Sequence, residues 1–207
     1  MKLSNSLSAA VLLAGVGSAS PLINSTGLAS PTSNVTFNEI VLPAFSSLTN
    51  QYASMGVTFA ASSYDPQSCA GFQGFTGSHC AGNRGPSNPF SIFFTTPQTA
   101  AAMAFATDPQ TTTLTAFLSG VQVETFSQAT TFDNPNTAYL GFTGITFDQI
   151  QISLATSGTA AVFANIQIGG ASASNTPEPV TVGLSGLALA MIGIARRLGI
   201  SRPPAGT

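Results

Sequence analysis

The sequence predicts an all-β domain, a jelly-roll-like antiparallel β-sandwich, over residues 34–170. Three observations favour this fold class. Short runs of residues alternate between apolar and polar, the pattern of half-buried strands. Pairs rich in Gly, Pro and Asn, which form turns, separate the runs. No convincing helical period occurs between the two ends of the chain, and many short strands joined by turns are typical of sandwiches.

Each strand is predicted from its own apolar pattern. In chain order the predicted strands are Val35–Ile40, Val57–Phe59, Phe90–Phe94, Ala101–Ala106, Leu114–Phe117, Val121–Phe126, Ile145–Leu154 and Val162–Ile168. The turn signals between them are Gly85-Pro86, Asn88-Pro89, Asp108-Pro109, Ser119-Gly120 and Asn134-Pro135. The longest strand shifts its alternation between Phe147 and Ile150, which predicts a β-bulge there.

Residues 1–19 have the features of a secretory signal peptide. Lys2 is followed by an apolar stretch that is clearest over Ala9–Val16, and small residues lead up to Ala19. This order of a positive start, an apolar centre and a small-residue cleavage site is typical of export signals. The alternative, a buried first helix, is disfavoured by Pro21 and the polar residues after it. We assign residues 20–33 to a flexible N-terminal segment.

The C-terminal end has three parts. Residues 171–179 form a small polar linker that ends in Pro177, Glu178 and Pro179. Residues 180–195 carry no charge and are just long enough for a short transmembrane helix. Residues 196–207 start with Arg196 and Arg197, and the positive-inside rule places this basic tail in the cytoplasm. The alternative is a buried C-terminal helix of the globular domain.

This C-terminal arrangement resembles the PEP-CTERM sorting signal of Gram-negative bacteria. The resemblance covers roughly the last 30 residues. It implies that the partner of Pro177, Glu178 and Pro179 is an exosortase-like membrane protease, which cleaves near the motif. The protein would then be exported as a membrane-anchored precursor and reach the cell surface or the extracellular matrix, often in organisms that make exopolysaccharide. One departure is that ten residues follow Arg197.

The middle of the chain resembles a β-sandwich module that is common among proteins with such tails. The similar segments are Phe37–Glu39, Leu48–Phe59, Gly141–Asp148 and Phe163–Asn165. Ala164 stands where related modules more often have Asp, which weakens any metal role at that position. The resemblance implies a fold similar to carbohydrate-binding sandwiches and no particular activity.

The charge is unusually sparse. The 207 residues include five Lys or Arg and seven Asp or Glu, which is 6 % against about 25 % in an ordinary soluble domain. A nucleic-acid-binding surface needs clustered Lys and Arg side chains, so nucleic-acid partners are excluded. Arg84 is the one base between residues 20 and 175, and the acids there are Glu39, Asp65, Asp108, Glu124, Asp133 and Asp148.

The two cysteines, Cys69 and Cys80, lie in a Gly-rich segment, and in an exported protein two nearby cysteines are expected to pair. The competing interpretation is a metal site that adds His79. The adjacent His79 and Cys80 are poorly spaced for one tetrahedral ion, so we favour the disulfide.

Catalysis has little basis in the sequence. No nucleophile-elbow motif surrounds a serine outside the apolar C-terminal segment. A glycosidase needs two carboxylates facing one substrate, and Glu39, Glu124, Asp133 and Asp148 are available, but nothing in the sequence brings two of them together. We therefore predict a protein that is not an enzyme, with a secreted polysaccharide-active enzyme as the alternative.

Sugar-binding sites generally use exposed aromatic rings beside polar groups. The candidate glycan contacts are Tyr52, Tyr64, Phe72, Phe75 and Tyr139, with an extracellular polysaccharide as the ligand. The absence of Trp argues against a strong glycan platform. The predicted function is a structural, adhesive or glycan-binding protein of the envelope or matrix.

Two minor alternatives concern ions and ice. Asp133 and Asn136 offer oxygen ligands for a structural calcium ion, but a turn stabilised by Asx side chains explains the same residues and is favoured. We predict no other cofactor. An ice-binding protein would need a flat, repeated threonine array, and residues 111–115 provide one local threonine run.

Overall fold

The computed structural model describes residues 20–65, 69–83, 88–133 and 135–169. Apart from one short 3-10 turn at Ala53–Met55, the regular structure in these ranges is antiparallel β, which confirms the predicted all-β class. The predicted signal peptide, linker, transmembrane helix and basic tail all lie outside the described residues. Within these ranges no helix is long and apolar enough to cross a membrane.

The strands in chain order are β1 (Ser20–Asn24), β2 (Ser33–Val35), β3 (Ser47–Leu48), β4 (Val57–Ala60), β5 (Ser62–Asp65), β6 (Cys80–Gly82), β7 (Phe90–Thr107), β8 (Gln110–Leu118), β9 (Val121–Thr130), β10 (Tyr139–Leu154) and β11 (Ala161–Ile168). The eight predicted strands therefore map onto β2, β4 and β7 to β11. The first strand, β1, occupies residues that the sequence analysis assigned to the N-terminal segment.

The strands form two layers that share β7 and β10. The β8 layer has the order β9-β8-β10-β7-β4, built from the second half of β10 and the first half of β7. The β11 layer has the order β1-β10-β7-β11-β6-β5-β3, built from the other halves, and β2 pairs with the end of β11. This is a β-sandwich, while the jelly-roll assignment stays a prediction.

β7 and β10 each pass from one layer to the other, and the strand prediction failed where β7 does so. Phe90–Phe94 and Ala101–Ala106, predicted as separate strands, are the two halves of β7, and exposed residues 95–97 lie between them. In β10 the pairing with β7 shifts register on both sides of Phe147. The predicted bulge after Phe147 is therefore confirmed, and it falls where β10 changes layers, which is a typical use of bulges.

Aromatic side chains fill the space between the layers. The Phe90 ring of the β8 layer stacks on the Phe163 ring of the β11 layer, with centroids 5.6 Å apart. Phe126 of β9 meets Phe142 of β10 edge to face at 5.2 Å. Burying one such ring contributes about 1.5–3 kcal/mol to folding, so these contacts hold the layers together.

The predicted strand Val35–Ile40 ends early. Its strand part stops at Val35, because Phe37 takes a positive φ of 64° and turns the chain. The turn is tied by Glu39, whose Oε1 accepts hydrogen bonds from the Thr36 amide and hydroxyl, both at 2.8 Å. The Phe37 ring is nevertheless fully buried. The alternation therefore correctly predicted that Phe37 is a core residue, but wrongly predicted an extended backbone for it.

Candidate functional site

The three tyrosines predicted as glycan contacts are core residues, so that prediction is wrong for them. Tyr52 and Tyr64 are fully buried, and their hydroxyls donate to the carbonyls of Ile40 (3.1 Å) and Phe37 (3.4 Å). Burial raises the pKa of both phenols above the ordinary value near 10. A ring enclosed in this way has no face left for a sugar.

Tyr139 is also buried and anchors the Gly-rich loop between the cysteines. Its hydroxyl donates to the Gly74 carbonyl at 2.9 Å, and the Asn165 amide donates to the same carbonyl and to the Tyr139 oxygen. Thr76 donates to Asn165 Oδ1 at 2.7 Å. Burial raises the pKa of Tyr139, while the hydrogen bond from Asn165 opposes that rise. This network holds the loop against β10 and β11.

The predicted disulfide is present. Cys69 and Cys80 are bonded, with their Cα atoms 6.0 Å apart, and both are fully buried. The competing metal site is therefore wrong, because both thiols are used in the bond. His79 stacks on the Tyr64 ring, and its Nδ1 donates to Asn38 Oδ1 at 2.5 Å. His79 is thus a packing residue of the loop.

Phe72 and Phe75, the other predicted contacts, meet each other in that loop. Their rings are 5.5 Å apart and edge to face, and Phe72 also stacks on Phe132 at 5.6 Å. Phe132, which the sequence analysis did not select, is 38 % exposed. One face of Phe72 is therefore covered by Phe132, and Phe75 packs against the core, which leaves a small apolar patch.

The acidic residues considered for catalysis or calcium have local roles. Glu39 ties its own turn, Glu124 accepts from the Thr125 amide at 2.9 Å, and Asp148 Oδ2 accepts from the Ser119 amide at 2.9 Å. Asp133 and Asn136 are both exposed in the loop before β10. Within the described ranges no three His, Cys, Asp or Glu side chains are grouped to hold a metal. The calcium ion stays a prediction.

A small cleft lies between β5, β6 and the start of β11. Its volume is about 190 Å³, and its walls include Phe45, Asp65, Asn83 and Thr159. Phe45 is 47 % exposed and has a positive φ of 64°. The Asn83 side chain is used inside the fold, since its Oδ1 accepts from the Ala161 amide at 2.8 Å. A volume of this size holds one small group rather than a polysaccharide chain.

The outer face of the β8 layer is a larger polar surface. Its side chains alternate with core residues such as Ile92, Leu114 and Ile150, which are fully buried. The outward residues are Thr58, Ala60, Ser91, Phe93, Thr111, Thr113, Thr115, Phe117, Gln122, Thr125, Ser127, Ala129, Gln149, Gln151 and Ser153. We call this set the outer face, and none of its members is charged.

Two phenylalanines stand out on the outer face. Phe93 of β7 and Phe117 of β8 both pair with Gln149 of β10, one on each side, and both are partly exposed. The Gln149 amide donates to the Ser91 hydroxyl at 3.0 Å, which fixes its direction along the face. Two rings in one row, beside amides and hydroxyls, have the composition of a sugar-binding surface.

This surface was not predicted from the sequence, although the alternation of its strands contains the signal for it. In the run Phe90–Phe94, strict alternation with Ile92 and Phe94 inside places Phe93 outside. In β8 the buried Leu114 and Ala116 place Phe117 outside in the same way. What the sequence lacks is the pairing register, which brings these two rings into one row beside Gln149.

No family model matches the chain, and no curated protein matches it. One similar solved structure is that of the carbohydrate-binding module TmCBM61 in complex with beta-1,4-galactotriose. The two chains are 10 % identical, the match covers 61 % of this chain and 90 % of that one, and the TM-score is 0.32. At this level the likeness carries no argument about function.

Proposed function

We propose that the protein is an exported envelope or matrix protein whose sandwich binds an uncharged polysaccharide through the outer face. The observation that carries the proposal is the row formed by Phe93, Gln149 and Phe117 on an uncharged sheet surface. Aromatic rings cover the apolar faces of sugars, and amides and hydroxyls exchange hydrogen bonds with sugar hydroxyls. The outer face supplies both kinds of group together.

The hydroxyls beside the row support the same proposal. Thr113 hydrogen-bonds to Ser127 at 2.8 Å and Thr115 to Thr125 at 3.1 Å, so the hydroxyls of β8 and β9 are held in pairs. Pairs of this kind are oriented before a ligand arrives, which lowers the entropy lost on binding. An acidic glycan would gain nothing here, because the outer face has no cation.

The binding experiment measures the affinity of the purified protein for glucomannan, a soluble uncharged polysaccharide, by isothermal titration calorimetry. Phe93→Ala and Phe117→Ala should each weaken binding about tenfold, as expected for central aromatic contacts. Phe132→Ala, which removes an exposed ring elsewhere, is the matched control and should bind normally. The proposed site is wrong if both face variants stay folded and bind as well as the original protein.

The export part of the proposal concerns the tail. We propose that an exosortase-like membrane protease recognises Pro177, Glu178 and Pro179, with Arg196 and Arg197 flanking a membrane helix on the cytoplasmic side. The support is the order of motif, apolar stretch and basic cluster in the sequence. The protein would be anchored as a precursor and then placed at the surface or in the matrix.

The sorting experiment replaces Pro177, Glu178 and Pro179 by alanine and follows the tail by mass spectrometry of cell fractions. The variant should keep its apolar tail and accumulate in the membrane. A matched substitution of linker residues 172–174 by alanine or glycine should be processed normally. Normal removal of the tail from the alanine variant of the motif would rule out recognition by the exosortase.

A further inference from the structure

The outer face is organised in parallel rows that run across the strands. The aromatic row contains Phe93, Gln149 and Phe117, which are direct neighbours in the pairing register. Neighbouring strands are about 4.8 Å apart, so the two rings belong to backbone positions separated by about 9.5 Å. That distance is close to the length of a disaccharide. Rings at this separation would contact alternate sugar units of one chain.

A second row follows the aromatic row on one side. It contains Gln151, Thr115 and Thr125 as direct neighbours in register, and it ends at Ser91, whose side chain is buried and accepts from the Gln149 amide. Ser91, Gln151 and Thr115 each lie two residues along their strands from the aromatic row, about 7 Å away. Thr125 lies three residues from Gln122, because the pairing of β8 with β9 shifts register between the two rows. A polysaccharide chain lying on the two rings would therefore have hydroxyl and amide groups along one of its edges.

The rows continue from edge to edge of the layer. In the part of the chain that the structure describes, β4 and β9 are the outer strands of the β8 layer, with Thr58 and Gln122 next to the aromatic row at its two ends. Both of these side chains are small or flexible and uncharged. Beyond β4 lies the segment at Thr49, whose carbonyl accepts from the Phe59 amide. Both rings lie inside the row, between Thr58 and Gln122, so a ligand would not need a chain end to reach them.

From this arrangement we infer that the outer face binds the interior of an extended, β-linked, uncharged polysaccharide that runs across the strands. The inference rests on the proposed function and specifies its ligand. Equatorial β-linkages keep a chain straight and ribbon-like, so successive sugar faces stay parallel to a flat sheet. A helical α-linked chain curves away from the sheet after one ring and cannot reach both Phe93 and Phe117.

The test compares cellohexaose with maltohexaose, which contain the same sugar and the same linkage position and differ in the anomer. The purified protein should bind cellohexaose at least about tenfold more tightly, which corresponds to the loss of one central aromatic contact. Affinity should rise along the series from cellobiose to cellohexaose and level off once the oligosaccharide spans both rings. Blocking the reducing end of cellohexaose should leave the affinity unchanged.

Variants separate this inference from the proposed function. Phe93→Ala and Phe117→Ala should each remove the rise in affinity with length, and Phe132→Ala should keep it. Equal affinity for maltohexaose and cellohexaose, lost in both face variants, would keep the proposed function and overturn the β-linked chain. Failure of both hexasaccharides and of glucomannan to bind would overturn the proposed function itself.

Discussion

Tyr52 illustrates how a polar atom is accommodated inside this core. Its ring packs edge to face on Phe37 at 5.1 Å, and its hydroxyl donates to the Ile40 carbonyl. The ionised phenolate would lose hydration without gaining a positive partner, so burial raises the pKa well above 10, and the negative charges of neighbouring groups add to the rise. The residue therefore stabilises the fold only while it is protonated.

This predicts a loss of stability at high pH. In the unfolded chain a tyrosine ionises near pH 10, whereas the folded protein keeps the proton of Tyr52 to higher pH. The stability is complete below about pH 10 and falls above it by up to about 1.4 kcal/mol per pH unit for each such tyrosine. Urea unfolding between about pH 8 and 11 measures the slope, and Tyr52→Phe should reduce it. A flat profile would contradict burial of the phenol.

The alternation of apolar and polar residues predicted which side chains are buried better than the choice of aromatic residues predicted which could contact a glycan. Alternation is enough to assign Ile92, Leu114 and Ile150 to the core, because inward positions in a strand are fixed by period two. Tyr52 and Tyr64 could not be assigned in this way, since Tyr52 follows a two-residue strand and Tyr64 lies in a four-residue one. Runs that short have no measurable period, and only the tertiary fold decides what covers them.

At the scale of an element, the loop between Cys69 and Cys80 depends on covalent and polar ties. Few of its own side chains are buried, and its anchors are the disulfide and the network of Gly74, Tyr139 and Asn165. Such a segment gains most of its order from a cross-link that limits the unfolded chain. The loop also places Phe72 against Phe132.

We predict that replacing Cys69 and Cys80 by serine lowers the free energy of unfolding by about 2.5–3 kcal/mol, the value for closing a loop of this length. Urea denaturation under non-reducing conditions measures the change. Affinity for glucomannan should be unaffected at temperatures where the variant is folded, because the loop lies outside the outer face. An unchanged free energy of unfolding would mean that the bond does not constrain the unfolded chain.

The positions of the long strands were predicted correctly, but one continuous strand, β7, was predicted as two separate strands. The residues between Phe94 and Ala101 include Pro97 and several threonines, which suggest a turn, yet β7 continues through them. Proline is tolerated there because the position lies at the passage between layers, where pairing with β10 is irregular. Sequence alone cannot distinguish a turn from a strand that bends between two layers.

At the scale of the whole molecule, the low charge has a specific consequence for binding. Residues 20–175 contain one Arg and six Asp or Glu, and none of these belongs to the outer face. The polar groups of the outer face are therefore hydroxyls and amides. The same groups can exchange water for sugar hydroxyls with little desolvation of charge.

Binding to uncharged polysaccharide should therefore depend little on salt. Between low salt and about 1 M sodium chloride we expect the affinity for glucomannan to change by less than about twofold, since the outer-face residues carry no charge that salt could screen. Titration calorimetry at several salt concentrations measures this. A tenfold loss of affinity in high salt would indicate that charged groups outside the outer face, such as Asp65 in the small cleft, make the contact.

Composition and alternation were sufficient to predict an all-β sandwich and its disulfide. They were insufficient to locate the binding surface, because that surface depends on how β7, β8 and β10 are aligned. Phe93 and Phe117 are 24 residues apart in the sequence and become neighbours only through Gln149.

The two strands shared by both layers also determine how the molecule transmits force. A polysaccharide bound to the outer face as proposed would pull on the β8 layer, whereas the last described residues follow β11 in the other layer. Tension between these points must pass from one layer to the other. β7 and β10 belong to both layers. The tension would therefore be carried by the covalent backbones of these two strands and by the hydrogen bonds between them. The layers therefore cannot slide apart under tension merely by losing the side-chain packing between them.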